Sequence, residues 1–228
     1  MHGSVLVFDP LARSVARVSL LAIFATFAVY TVAYLILIAR YRLPRWTSAA
    51  AFLNGRGQPW FRLLTFCQVC ALATPLFFVA FVGALSATVA PRYAALGQIA
   101  LAASTAFAVL SSVYYVVQLR LATGGIDGGG DAWLDHLLQL NPAAVFTCVN
   151  IVGWTLFFAI ACLCAAPALL AASGAGVAVV GGLLIVNGVI CLLGLVGYLG
   201  RVRVLNVLYF NGMGVAVLAF SLVGYLVL

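Results

Sequence analysis

Six stretches of the chain, at 18–39, 63–87, 98–119, 143–166, 177–199 and 206–228, are almost wholly apolar. Each holds the roughly 20 residues that a helix needs to cross a 30 Å hydrocarbon core. None shows the strict alternation of a barrel strand, so helices are the expected spanning elements. The expected fold is therefore an all-α integral membrane protein, a six-helix transmembrane bundle forming a single domain over residues 1–228. Composition agrees: 66% of residues are hydrophobic and 7% charged. A water-soluble domain carries about 25% charged residues, far more than this chain has to cover itself. The first stretch is too long for a signal-peptide core, and no small-residue cleavage site follows it.

The charged residues narrow the function. All eleven cations are arginines, so lysine chemistry, including a retinal Schiff base, is excluded. The four acids are Asp9, Asp127, Asp131 and Asp135, all outside the apolar stretches. Proton pumps depend on ionisable groups within their spans, and here those are missing. His2 and His136 are the only histidines, neither in a span, which argues against a bis-histidine haem. With no HExxH and no Walker loop, no metal or cofactor is expected. The arginines lie beside apolar segments and read as topology signals, so nucleic acid is not an expected partner. Eight of them fall in the breaks after stretches one, three and five, and three fall on the other side. The positive-inside rule then places the eight-arginine side in the cytoplasm and both termini of this cell-membrane protein outside. No internal repeat supports an inverted-repeat transporter.

The break from Arg120 to Asn141 is the first place to look for chemistry. Glycines at 124, 125 and 128–130 give a hinge, and Asp131 is placed to cap a short helix. On that helix Asp131, Asp135 and Gln139 fall at i, i+4 and i+8 and form one polar stripe. Trp133, Leu134, Leu137, Leu138 and Leu140 supply its apolar positions. One reading is an amphipathic helix between spans three and four, lying in the interface. The sharper reading makes Asp131, Asp135 and His136 catalytic, as a lid whose carboxyl groups supply a general acid or share a divalent cation.

Polar residues inside the stretches are the second feature. Gln68, Tyr114, Tyr115, Gln118, Asn150, Trp154, Asn187 and Asn211 are expected to point inward, since an amide facing lipid is unfavourable. They either hydrogen-bond between helices or line a site. In the second reading Tyr114, Tyr115, Gln118, Asn150 and Trp154 form the wall of a pocket for a hydrophobic small molecule. Cys67 and Cys70 form a CxxC, a redox signature at a helix start but here within a span, where packing is the default. The arginine-rich break at 40–62 reads as a positive-inside signal with anionic-lipid contact, anchored by Trp46 and Trp60. A diphosphate site beside the membrane is the alternative. Gly181, Gly182, Gly188, Gly194, Gly197, Gly212 and Gly214 read as close-packing faces.

Tyr114-Tyr115-Val116-Val117-Gln118-Leu119-Arg120, a polar break closing on Asn141-Pro142, and Gly153-Trp154 together resemble a loose group of small multi-pass bacterial membrane proteins, mostly without known function. That resemblance covers about Val113 to Pro167. The acid-poor, aromatic six-span architecture also resembles the small membrane-bound terpene cyclases of secondary metabolism. This second resemblance implies an acid that protonates an alkene or epoxide, and aromatic walls that shelter the cation. The resulting expectation is a membrane-embedded enzyme on an isoprenoid-like substrate, a lyase or isomerase. The alternatives are a non-catalytic subunit or scaffold, and a carrier of a small hydrophobic molecule.

Overall fold

The computed structural model describes residues 9–41, 48–124, 132–138 and 144–228. Its helices are α1 (Pro10–Tyr41), α2 (Ala49–Leu53), α3 (Pro59–Ser86), α4 (Ala94–Ala122), α5 (Val145–Val152), α6 (Phe158–Leu170), α7 (Ala175–Leu199) and α8 (Arg203–Val227). A π-helical turn, Gly153–Phe157, joins α5 to α6, so Val145–Leu170 is one continuous span. Among the described residues six helices are thus long and apolar enough to cross a membrane, and this is a multi-pass membrane protein whose surface meets lipid.

The spans form a ring in chain order. Each packs against its sequence neighbours, and α1 closes the ring against α8. Short connections enforce this antiparallel order. One end of the ring carries Arg40, Arg56, Arg62, Arg120, Arg201 and Arg203; Arg13, Arg17 and Arg92 lie at the other. There Arg17 lies 5.2 Å from the centre of the Tyr225 ring and helps tie α1 to α8.

Several boundaries differ from the sequence expectation for physical reasons. Asp9-Pro10 starts α1, well before the apolar stretch that begins at residue 18. The Asp9 carboxylate accepts from the Ala12 N–H at 2.8 Å, and Pro10 occupies the first helical position, where no N–H is needed. The fourth span, expected to stop at Pro167, runs through it to Leu170. Only three residues follow the proline, so one missing bond near the helix end is tolerated. Packing of α7 against α6 and α8 uses glycines as expected. A Cβ on Gly194 would lie 2.4 Å from the Tyr209 ring, and one on Gly188 would lie 2.7 Å from Leu163. Gly181 and Gly197 are equally tight, whereas Gly182 faces open space.

The middle of the ring is filled. Phe78, Phe107 and Phe158 meet there, with ring centres 4.7 Å apart for Phe78–Phe158 and 4.8 Å for Phe107–Phe158. Phe27, Phe81, Trp154 and Phe220 complete this aromatic layer from α1, α3, the π turn and α8. Offset and edge-to-face pairs of this kind are the favoured geometries.

Candidate functional site

Between the aromatic layer and the arginine-rich end lies a layer rich in hydroxyl groups. Tyr114 and Tyr115 on α4 are buried, their rings 5.0 Å apart, and pack with Ala71 of α3. Tyr30 and Tyr34 on α1 stack at 5.7 Å and lie in the electrostatic neighbourhood of Tyr115 and Cys67. From the facing span, Thr147 bonds Tyr114, while Asn150 and Trp154 approach the Tyr115 hydroxyl. Tyr209 of α8 is a further neighbour of Tyr115.

The π turn shapes this layer. Phe158 N–H reaches the Gly153 carbonyl, one residue further than in an α-helix. Thr155, fully buried in that turn, donates its hydroxyl back to the Ile151 carbonyl of α5 at 2.6 Å. Gly153 lets the span approach α4, because the nearest atoms to a Cβ there would be Ser111, Leu110 and Phe107. Such turns recur at functional positions. Trp154 consequently has its ring 4.7 Å from Phe107 while its indole nitrogen stays on the polar side. Among the described residues the indole N–H completes no hydrogen bond of ordinary geometry; the same holds for the Asn150 carbonyl oxygen and the hydroxyls of Ser111 and Ser112. In hydrocarbon, buried polar atoms without partners are costly, and native proteins keep few of them.

A leucine plug closes this layer at the arginine-rich end. The short helix expected here is, over Ala132–Leu137, a six-residue 3-10 helix. Asp131 and Gln139, the two residues expected to share a stripe with Asp135, lie outside the described residues, as do Asp127 and Leu140. Leu134, Leu137 and Leu138 are buried against Leu37, Leu64, Cys67 and Leu121. Trp133 and His136 point outward and Asp135 is half-buried. Residues 132–138 thus form a short hydrophobic stopper.

Two side chains hold the plug. Gln118, fully buried on α4, donates to the Leu137 carbonyl, and Thr147 donates to the Leu138 carbonyl at 3.1 Å. Beside them the Arg56 guanidinium donates to the Leu121 carbonyl at the C-terminal end of α4, where a cation is favoured. Trp60 is half-buried and meets Phe61 edge-on, so it belongs to this end cap as much as to the interface; Trp46 lies outside the described residues.

Of the sequence-derived site residues, Tyr114, Tyr115, Asn150 and Trp154 come together. Gln118 is engaged with the plug, Asp135 and His136 sit on the plug's rim, and Asp131 is beyond the described residues. Sequence reasoning missed Tyr30, Tyr34, Tyr209, Ser111 and Thr147. Tyrosines 30 and 34 are one turn apart on α1, which was a readable signal. Gln68 and Asn187 are buried as expected, but Asn211 is exposed on the outer face of α8, contrary to expectation. Cys67 and Cys70 are free thiols buried within α3, away from a helix start. A crevice at the opposite end, between Ser86, Val89, Tyr93 and Cys164, has room for no more than about one water molecule.

No protein family, curated protein or solved structure matches this chain.

Proposed function

We propose that the protein is a membrane-embedded enzyme acting on a hydrophobic, isoprenoid-like substrate, held against Tyr114, Tyr115, Asn150 and Trp154. The observation that carries this reading is the Tyr115 hydroxyl facing Asn150 and Trp154, inside an aromatic shell, with several polar atoms there still unpartnered. A ligand with an apolar body and a neutral oxygen supplies what those atoms lack: an acceptor for the Trp154 N–H and a donor for the Asn150 carbonyl. Such a molecule enters from the lipid between helices.

The finer proposal is an acid-initiated terpene cyclase. A protonated carboxyl group gives its proton to an alkene carbon or an epoxide oxygen, leaving positive charge on carbon. A second alkene attacks that carbon and closes the ring. The cation is finally quenched by loss of a proton to the carboxylate. Asp135 and Asp131 are the proposed acids, with His136 next to Asp135 on the plug, and the faces of Tyr114, Tyr115 and Trp154 stabilise the cation. Gln118 acts by holding the plug that keeps water out. In this reading the arginine-rich end is cytoplasmic and both termini are outside.

The test is to incubate membranes containing the full chain with prenylated precursors and to analyse products. New cyclic products that disappear in Asp131→Asn or Asp135→Asn support the proposal. An unchanged product profile across precursors overturns the enzyme reading, and full activity in both variants overturns the acid assignment.

A further inference from the structure

Asn211 lies eight residues into α8 from Arg203, about 12 Å along the axis and so well below the headgroups. It is exposed, which at this depth means exposed to lipid. Its side-chain N–H2 donates to the Val207 carbonyl at 2.8 Å, one turn back. That uses one of its two N–H groups. An amide in this position is unfavourable in hydrocarbon unless it finds a partner.

The residues around it form a surface. Val204, Leu208, Asn211, Val215, Leu222 and Leu226 are all exposed, and their spacings of three, four and seven place them on one stripe of α8. Val204 is 75% and Val215 and Leu226 are each 68% exposed. A stripe of this period with a single amide is the pattern by which paired helices fix their register.

We propose that this stripe is a homodimer interface in which Asn211 of one copy pairs with Asn211 of a second. The amide is its own complement, since each offers a free N–H and a free carbonyl oxygen. A two-fold axis along the bilayer normal brings identical residues together at identical depth, with no further matching required. A lipid headgroup does not reach this depth, and an acyl chain offers no hydrogen bond. The rest of the stripe is apolar, so no unpaired group is trapped.

The test measures association of the full-length protein in liposomes by single-molecule photobleaching as the protein-to-lipid ratio is varied. Wild type and Asn211→Gln are expected to dimerise, and Asn211→Leu to associate roughly 3- to 30-fold more weakly, the range for hydrogen bonds between membrane helices. In parallel, oxidation of Asn211→Cys should give a covalent dimer that neither wild type nor Leu76→Cys, on the outer face of α3, produces. A wild-type protein that stays monomeric at all ratios overturns the proposal. So does an Asn211→Leu variant that dimerises equally well, or a wild-type chain that binds a different protein at this stripe in place of itself.

Discussion

The buried side-chain amide of Gln118 donates to the main-chain carbonyl of Leu137, so a residue in the third span holds the segment that follows it. Removing that donor orphans a carbonyl in a buried setting. Gln118→Leu is expected to destabilise the plug by about 1–3 kcal/mol. Amide hydrogen exchange over residues 134–138 is the sensitive readout, and it should speed up while exchange within α7 and α8 stays unchanged. Unaltered exchange in the plug would mean that Gln118 does not hold it.

The plug's leucines shield Cys67. Leu134 and Leu138 are buried in the same cluster as this thiol. Leu138→Ala opens space that the short 3-10 turn fills poorly, at about 2–5 kcal/mol for a buried leucine. Maleimide labelling of Cys67 from the arginine-rich side should then rise clearly above wild type. Cys162 and Cys191, buried in the main core cluster, should stay protected. Equal labelling in both proteins would show that the leucines do not seal the layer.

How far the sequence reveals this molecule depends on the kind of signal. The six spans are legible because hydropathy over 20 residues outweighs any local preference. The 3-10 turn is not, because leucines at 134, 137 and 138 suit both helix types: i, i+3 lies on one face of either. The π turn is hidden for a related reason. An i→i+5 bond adds one residue to a turn without changing composition, and Gly153 alone does not announce it. The facing of Tyr115 toward Asn150 and Trp154 depends on that turn, so only the residue types of the site were readable. Asn211 shows the limit of the inward rule. On a helix apolar all round, polarity alone does not say which face meets the bundle.

Arg201 adopts φ +54°, the left-handed conformation, in the turn between α7 and α8. Its position just after the α7 end is the one that glycine normally takes. The Val202 N–H returns to the Gly197 carbonyl at 2.8 Å, completing the closing motif. A residue with a Cβ is strained there by about 1–2 kcal/mol. Arg201→Gly relieves that strain but frees the unfolded backbone, so a smaller net gain in the detergent melting temperature is expected. A lower melting temperature would mean that the arginine makes a contact worth more than the strain.

Gly194 and Gly182 share one helix and give opposite expectations. The Gly194 backbone sits under the Tyr209 ring, and an added Cβ would fall 2.4 Å from it. Tyr209 is buried and cannot swing aside freely. Gly194→Ala therefore forces α7 and α8 apart and should destabilise by about 1–3 kcal/mol, the range for overpacking. Gly182 meets nothing within 4 Å, so Gly182→Ala adds a methyl group to open space. There alanine's better helix propensity, by about 1 kcal/mol, should raise stability or leave it unchanged. Thermal unfolding of the two variants in the same detergent decides the matter. Equal melting temperatures would mean that the α7–α8 contact is looser than the close approach of Gly194 to Tyr209 requires.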